Sequence, residues 1–204
     1  MNIVFDFGGV LFDWRPHEFL SRLLPELTLS PESARALAAE FFQGHGGDWA
    51  AFDRGTIEPE ALALAIAQRT GLSVHQTRKV IHGVAQEMLP QPATVTLLRR
   101  LHQAGHALYF LSNMPEMYAQ HLEAGHEFLS LFRDGVYSAR VKLLKPEPEI
   151  FAHAAQVFGI DAADTLFIDD MAYNAEAARA AGWQALHFQN PGQFERELVK
   201  WGLL

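Results

Sequence analysis

Apolar positions along the chain fall into two patterns: short unbroken runs, and longer stretches in which they recur every three or four residues. Ile3-Val4-Phe5 begins a run over residues 3–7 that Gly8-Gly9 stops, as expected of a strand buried on both faces and ended by a glycine turn. From about Arg15 to Met88 the spacing becomes helical. Pro31-Glu32 opens one segment with Ala34, Leu37, Ala38, Phe41 and Phe42, and Pro59-Glu60 opens another with Leu62, Leu64, Ile66 and Ala67 that stops at Gly71. Ser73-x-x-Gln76 predicts a capping box at the head of a third. Gly44, Gly46, Gly47 and Gly55 mark loops between these segments.

Beyond Pro90 and Pro92 the two patterns alternate. A helix with Val95, Leu98 and Leu101 ends at Gly105, and the apolar run 107–111 predicts a buried strand. A helix after Pro115 precedes a short strand at Gly135-Val136-Tyr137, and Pro146 opens a helix that ends near Gly159. A strand at 165–168, a helix from Tyr173 to Ala181 closed by Gly182, a strand at 185–188 and a last helix after Pro191 complete the series. Alternation of this kind predicts an α/β fold, a doubly wound (Rossmann-like) parallel sheet with helices on both faces. The first strand joins the same sheet most economically. Residues 1–14 and 89–204 then form the core, and 15–88 form an inserted helical cap subdomain.

A length of 204 residues suits one domain with a modest insertion, and 49% apolar against 20% charged residues suits a chain that buries a core. Sixteen basic against 24 acidic residues leave a net charge of −8, which argues against a nucleic-acid partner held through phosphates. The absence of cysteine removes thiolate metal sites and cysteine nucleophiles and leaves oxygen ligands and hard cations. No apolar stretch approaches the roughly 18 residues that span a bilayer, and the N-terminus lacks the layout of a secretory leader, so a cytoplasmic protein without a membrane partner is expected.

Polar residues placed directly after the apolar runs carry the chemistry. Asp6 comes directly after Ile3-Val4-Phe5, Ser112-Asn113 after the run at 108–111, and Asp169-Asp170 after the run at 166–168. In a parallel sheet these ends share one edge, where open α/β folds bind ligands. Carboxylates gathered there repel unless a cation joins them, and an all-oxygen donor set points to Mg²⁺. Lys145, just before Pro146-Glu147, would stand at a helix start beside outward-pointing N–H groups. Carboxylate, cation, lysine and hydroxyl together describe a phosphoryl-transfer site.

Four motifs in order, Asp6-Phe7-Gly8-Gly9-Val10-Leu11, Leu111-Ser112-Asn113, Lys145-Pro146-Glu147 and Phe167-Ile168-Asp169-Asp170, resemble those of the haloacid dehalogenase superfamily. The helical segment after the first motif resembles the branch with a small helical cap, and more narrowly its bacterial sugar-phosphate phosphatases. The resemblance implies a Mg²⁺-dependent phosphatase acting on a small phosphorylated metabolite. Asp6 would attack phosphorus and become an aspartyl-phosphate, and Lys145 would neutralise charge between nucleophile and phosphate. Ser112 and the Asn113 backbone would hold the phosphoryl oxygens. Asp6, the Gly8 carbonyl, Asp170 and Asp169 would hold the metal.

One position departs from the family pattern. Most of these phosphatases carry a second aspartate two residues after the nucleophile, as proton donor, and here that position is Gly8. Either the substrate has an easy leaving group, such as an anomeric hydroxyl or an acyl phosphate, or another residue, Asp13 or a cap side chain, supplies the proton. A 2-haloacid dehalogenase and a non-catalytic phosphate-binding protein are the alternatives; the acidic pair at 169–170 disfavours the first. Asn174 could orient a metal ligand or make a local hydrogen bond. His102 and His106 read as surface residues. Around the glycine-rich loop of the cap stand His45, Asp48, Trp49, Phe52, Asp53 and Arg54. Trp49 and Phe52 read as core packing, and His45 and Arg54 as substrate contacts.

Overall fold

Strand β1 (Asn2–Phe5) can occupy the middle of a sheet because every residue from Ile3 to Phe5 is apolar, so neither face of its pleat needs water. A computed structural model, describing residues 1–44 and 46–204, places it there. The sheet is wholly parallel, in the order β3-β2-β1-β4-β5, with β2 at Ala107–Ser112, β3 at Asp134–Tyr137, β4 at Thr165–Asp169 and β5 at Gln184–His187. Side chains alternate across it. Ile3 and Phe5 lie in one cluster with Leu166, Ile168 and residues of α6 (Pro92–Gln103) and α11 (Pro191–Lys200), while Val4, Tyr109, Leu111 and Phe167 lie in a second with α9 (Pro148–Phe158). Each such fully buried aliphatic or aromatic side chain contributes about 2 kcal/mol. This is the doubly wound α/β arrangement expected from the alternating pattern.

Among the described residues, five helices occupy the chain between β1 and α6: α1 (Pro16–Leu23), α2 (Pro31–Phe42), α3 (Gly47–Asp53), α4 (Pro59–Thr70) and α5 (Val74–Glu87). The two connectors to the sheet run side by side: Asp13 N–H donates to Leu89 O (2.8 Å) and Gln91 N–H to Leu11 O (2.8 Å). The capping box is present, with Ser73 Oγ accepting from Gln76 N–H (3.2 Å) and Gln76 Oε1 from Ser73 N–H (2.9 Å). The other helices are α7 (Glu116–Gly125), the single turn α8 (Ser138–Val141) and α10 (Ala172–Ala180).

Three local expectations are corrected. The glycine-rich stretch holds a helix, α3, because Trp49 and Phe52, three apart, are both buried and Gln43 Oε1 accepts from Asp48 N–H (3.2 Å) at its start. Tertiary burial supports it where propensity does not. The helix expected from Pro146 begins at Pro148, since Glu147 precedes a proline and is driven out of helical conformation (ψ 133°). The first strand ends at Phe5, before Phe7, whose carbonyl instead accepts from the N–H groups of Val10, Leu11 and Phe12 in a tight loop.

Candidate active site

The C-terminal edge of the sheet brings Asp6, Ser112 and Asp169 together. β1 pairs with β2 and β4 so that Phe5 stands level with Phe110 and Ile168, and Asp6 N–H still donates to Ile168 O (2.9 Å). Residues more than a hundred positions from Asp6 in sequence thereby reach its side.

Lys145 lies at the centre. Its Nζ is 2.8 Å from Asp6 Oδ1 and 2.7 Å from Asp169 Oδ2, and only 2% of the residue is exposed. Burial by itself would lower its pKa, but the charges of Asp169 and Asp6 outweigh that and raise it, so it stays an ammonium. Its backbone is held by Asn113: Asn113 Oδ1 accepts from Lys145 N–H (2.9 Å) and Asn113 Nδ2 donates to Lys145 O (2.9 Å). The side-chain amide of Asn113 is thus spent on positioning the lysine. Ser112 is buried at the end of β2 and lines the same cavity.

Asp6 is nearly covered. Its Oδ1 accepts from Phe7 N–H (2.7 Å) as well as facing Lys145, while Oδ2 takes no hydrogen bond from the described residues. Burial pushes its carboxyl up to about 7, with Asp169 and Asp170 adding to the rise and Lys145 opposing it. Burial and Asp169 likewise push Asp170 up to about 6. Asp169 is anchored on both oxygens: Asn174 Nδ2 lies 3.0 and 3.1 Å from them, and Met171 N–H donates to Oδ1 (2.8 Å). Asn174 therefore orients this carboxylate. Gly9 (φ +73°) lets the first loop approach, since a Cβ there would collide with the Asp170 carboxylate.

Asp6, Asp169 and Asp170 each offer an oxygen within 4.8 Å of the others. Burial, with mutual repulsion adding to it, raises the pKa of Asp6 and Asp170; a divalent cation would offset both, and the donors are hard oxygens, so the residues fit Mg²⁺.

Above this floor is a cavity of about 440 Å³. Its walls are mostly apolar, including Trp14, Phe42, Trp49, Val84, Met88 and Tyr118. Gly8 opens onto it. Among the described residues, Asp53 at the end of α3 is the single carboxylate that the helical segment contributes. Burial pushes it up to about 8, with Lys145 opposing and Asp6 adding.

Not every expected contact is in this cavity. Arg54 donates to Glu147 through both terminal guanidinium nitrogens, Nη1 and Nη2, and to Lys142 O (3.1 Å), because the α3 C-terminus abuts the chain before α9. It pairs across to that segment and does not line the cavity, where a substrate contact was expected. Asp13 is half exposed beside Arg15 and does not line the cavity. His45 lies outside the described residues. Trp49 and Phe52 are core residues as expected, Trp49 also facing the cavity. Sequence alone assigns no role to Asp53, to Tyr173, which lines the cavity, or to the Asn113 amide; an aspartate before Arg-Gly is the one signal available for the first.

The model of the haloacid dehalogenase-like hydrolases matches residues 1–182. The sesquiterpene phosphatase astK of Aspergillus oryzae is 29% identical over 185 residues, covering 90% of this chain and 87% of that protein. A HAD family enzyme of Bacteroides thetaiotaomicron, solved with magnesium and inorganic phosphate, superposes with a TM-score of 0.71 at 22% identity over 92% of this chain and 93% of its own. L-2-haloacid dehalogenase of Xanthobacter autotrophicus, with chloropropionic acid covalently bound, gives 0.67 at 18% identity over 100% and 84%.

Proposed function

The chain belongs to the haloacid dehalogenase-like hydrolase family, and from that premise we propose that it is a Mg²⁺-dependent phosphatase acting on a small phosphate monoester through an aspartyl-phosphate on Asp6. The observation that carries this reading is the state of Asp6: one oxygen is fixed by Phe7 N–H and Lys145, and the other is left for attack. Ser112, the Asn113 N–H and the Lys145 ammonium hold the phosphoryl oxygens, where negative charge must be balanced. Asp6 Oδ2 bonds to phosphorus as the ester P–O bond breaks and the alcohol leaves. Water then attacks the same phosphorus, the bond to Asp6 breaks, and inorganic phosphate is released. Asp6, Asp170, Asp169 and the Gly8 carbonyl would hold Mg²⁺, which when bound would supply positive charge to offset repulsion between the carboxylate and the phosphoryl group.

The cavity favours one kind of alcohol. A sugar, the first expectation, needs partners for several hydroxyls, and the walls offer mainly aromatic, methionine and aliphatic surface. Such a lining buries a hydrocarbon group, so the substrate is the monophosphate of an apolar alcohol. The Aspergillus relative, named for sesquiterpene substrates, agrees with this choice.

Phosphate release from farnesyl monophosphate and from hexose phosphates, with and without Mg²⁺, tests both parts. Faster Mg²⁺-dependent release from the prenyl ester is expected, and Asp6→Asn should abolish it. No turnover of any phosphate ester would overturn the phosphatase reading, and better turnover of hexose phosphates would overturn the apolar one. Chelator-resistant hydrolysis of 2-chloropropionate would indicate the dehalogenase reaction instead.

A further inference from the structure

An alkoxide is a poor leaving group, so ester cleavage in this cavity calls for a proton donor, and Gly8 has no side chain to provide one. The groups already described are committed. Asp6 is the nucleophile, Asp169 is bound on both oxygens, Lys145 bridges two carboxylates, and Asp170 belongs to the acidic floor. The Tyr118 hydroxyl donates to Ile81 O (2.7 Å), and burial raises the pKa of both Tyr118 and Tyr173, making them weaker acids still. Among the described residues, Asp53 is the remaining acid on the cavity wall. Its carboxylate makes no hydrogen bond or ion pair with the described residues, although the backbone around it is held firmly.

Three contacts fix that backbone to the sheet domain. Ser138 Oγ donates to Asp53 O, Arg54 pairs with Glu147, and Lys142 Nζ donates to Gly55 O. Gly55 (φ +69°) admits this approach, for a Cβ there would lie 2.8 Å from Ala139 O. A carboxyl with no partner among the described residues, carried on a clamped segment that lines the same cavity as Asp6, is placed there by the fold.

We propose that Asp53, on the phosphatase reading above, is the general acid and base of the reaction. Its proton passes to the ester oxygen as the P–O bond breaks, leaving a neutral alcohol and an Asp53 carboxylate. That carboxylate then takes a proton from the water attacking the aspartyl-phosphate, so Asp53 ends as it began. The rise of its pKa to about 8 keeps the proton in place at neutral pH, as the first step requires.

Asp53→Asn, compared on two esters, tests this. Phosphorylation of Asp6 is followed by single-turnover kinetics with an alkyl phosphate, whose alcohol needs the proton, and with p-nitrophenyl phosphate, whose phenolate leaves without it. The loss on the alkyl ester should be about 10²–10⁴-fold, and on the p-nitrophenyl ester at least about tenfold smaller. Equal losses on both, or no loss, would overturn the role of Asp53 while native turnover upheld the phosphatase. A native protein inactive on both esters would instead overturn the phosphatase reading itself. Asp53→Ser repeats the comparison if the asparagine variant does not fold.

Discussion

Asp6 presents one committed and one open oxygen, and this asymmetry sets the sharpest expectation at the scale of single residues. Asp6→Asn keeps the shape and the Phe7 contact but removes the attacking charge, so kcat should fall by about 10³-fold or more, measured by phosphate release. Asp53 makes a second prediction that needs no substrate. Its native pKa of about 8 stands above the ordinary 3.8, so below about pH 4 both folded and unfolded chains hold the proton and nothing is lost. As pH rises toward 8 the unfolded chain ionises first, and native stability falls. Asp53→Asn removes that fall. Urea unfolding in the presence of chelator should find the variant more stable relative to native at pH 9 than at pH 5, by at least about 1 kcal/mol. No difference between the two pH values would mean that Asp53 ionises as an ordinary aspartate. The meeting of Asp6 and Asp169 at one sheet edge was legible from strand ends, and the motif order placed Lys145 beside them. Asn113 was legible only as a backbone donor, since its amide faces a residue 32 positions away.

At the scale of elements, the stretch Asp53 to Gly55 is a clamp between α3 and the chain leading into α9. Arg54 and Glu147 are both partly exposed, so their pairing contributes only about 0.5–1 kcal/mol to stability. Its larger effect should be on rate, through the position of Asp53. Arg54→Met is expected to lower kcat about tenfold to a hundredfold with KM little changed. Reversing the charges in Arg54→Glu with Glu147→Arg should recover most of it, and steady-state kinetics on the double variant check this. A raised KM that the reversed pair does not recover would return Arg54 to the substrate-contact role expected from sequence. The pairing with Glu147 was not legible in the sequence, because an arginine in a glycine-rich stretch looks alike whether it faces a ligand or a neighbouring loop. The helix α3 was missed for a different reason: the burial of Trp49 and Phe52 was expected, but Gly44, Gly46, Gly47 and Gly55 around its ends read as a loop and hid the helix that carries them.

At the scale of the whole molecule, the acidic floor couples metal binding to folding. Three carboxylates within 4.8 Å oppose one another in the metal-free protein, so Mg²⁺ should stabilise the fold as well as support turnover. Thermal unfolding with Mg²⁺ at about a hundred times its Kd should reveal a gain of about 2.7 kcal/mol. Asp170→Ala should lose most of that gain, while chelator alone should abolish phosphate release. A Tm indifferent to Mg²⁺ would argue against a metal site at this edge.

The sequence by itself determined the sheet, the order in which acidic, hydroxyl and lysine residues arrive at its edge, and the family. These rest on short-range facts: apolar runs make strands, parallel strands align their ends, and the acidic and hydroxyl motifs sit directly after a run. The apolar lining of the cavity, the partners of Arg54, the contacts of Asn113 and Asn174, and the placing of Asp53 on the same cavity as Asp6 were decided by tertiary structure. Each depends on which surfaces of separate helices meet, and the periodicity that makes a helix is silent about the neighbour it will pack against.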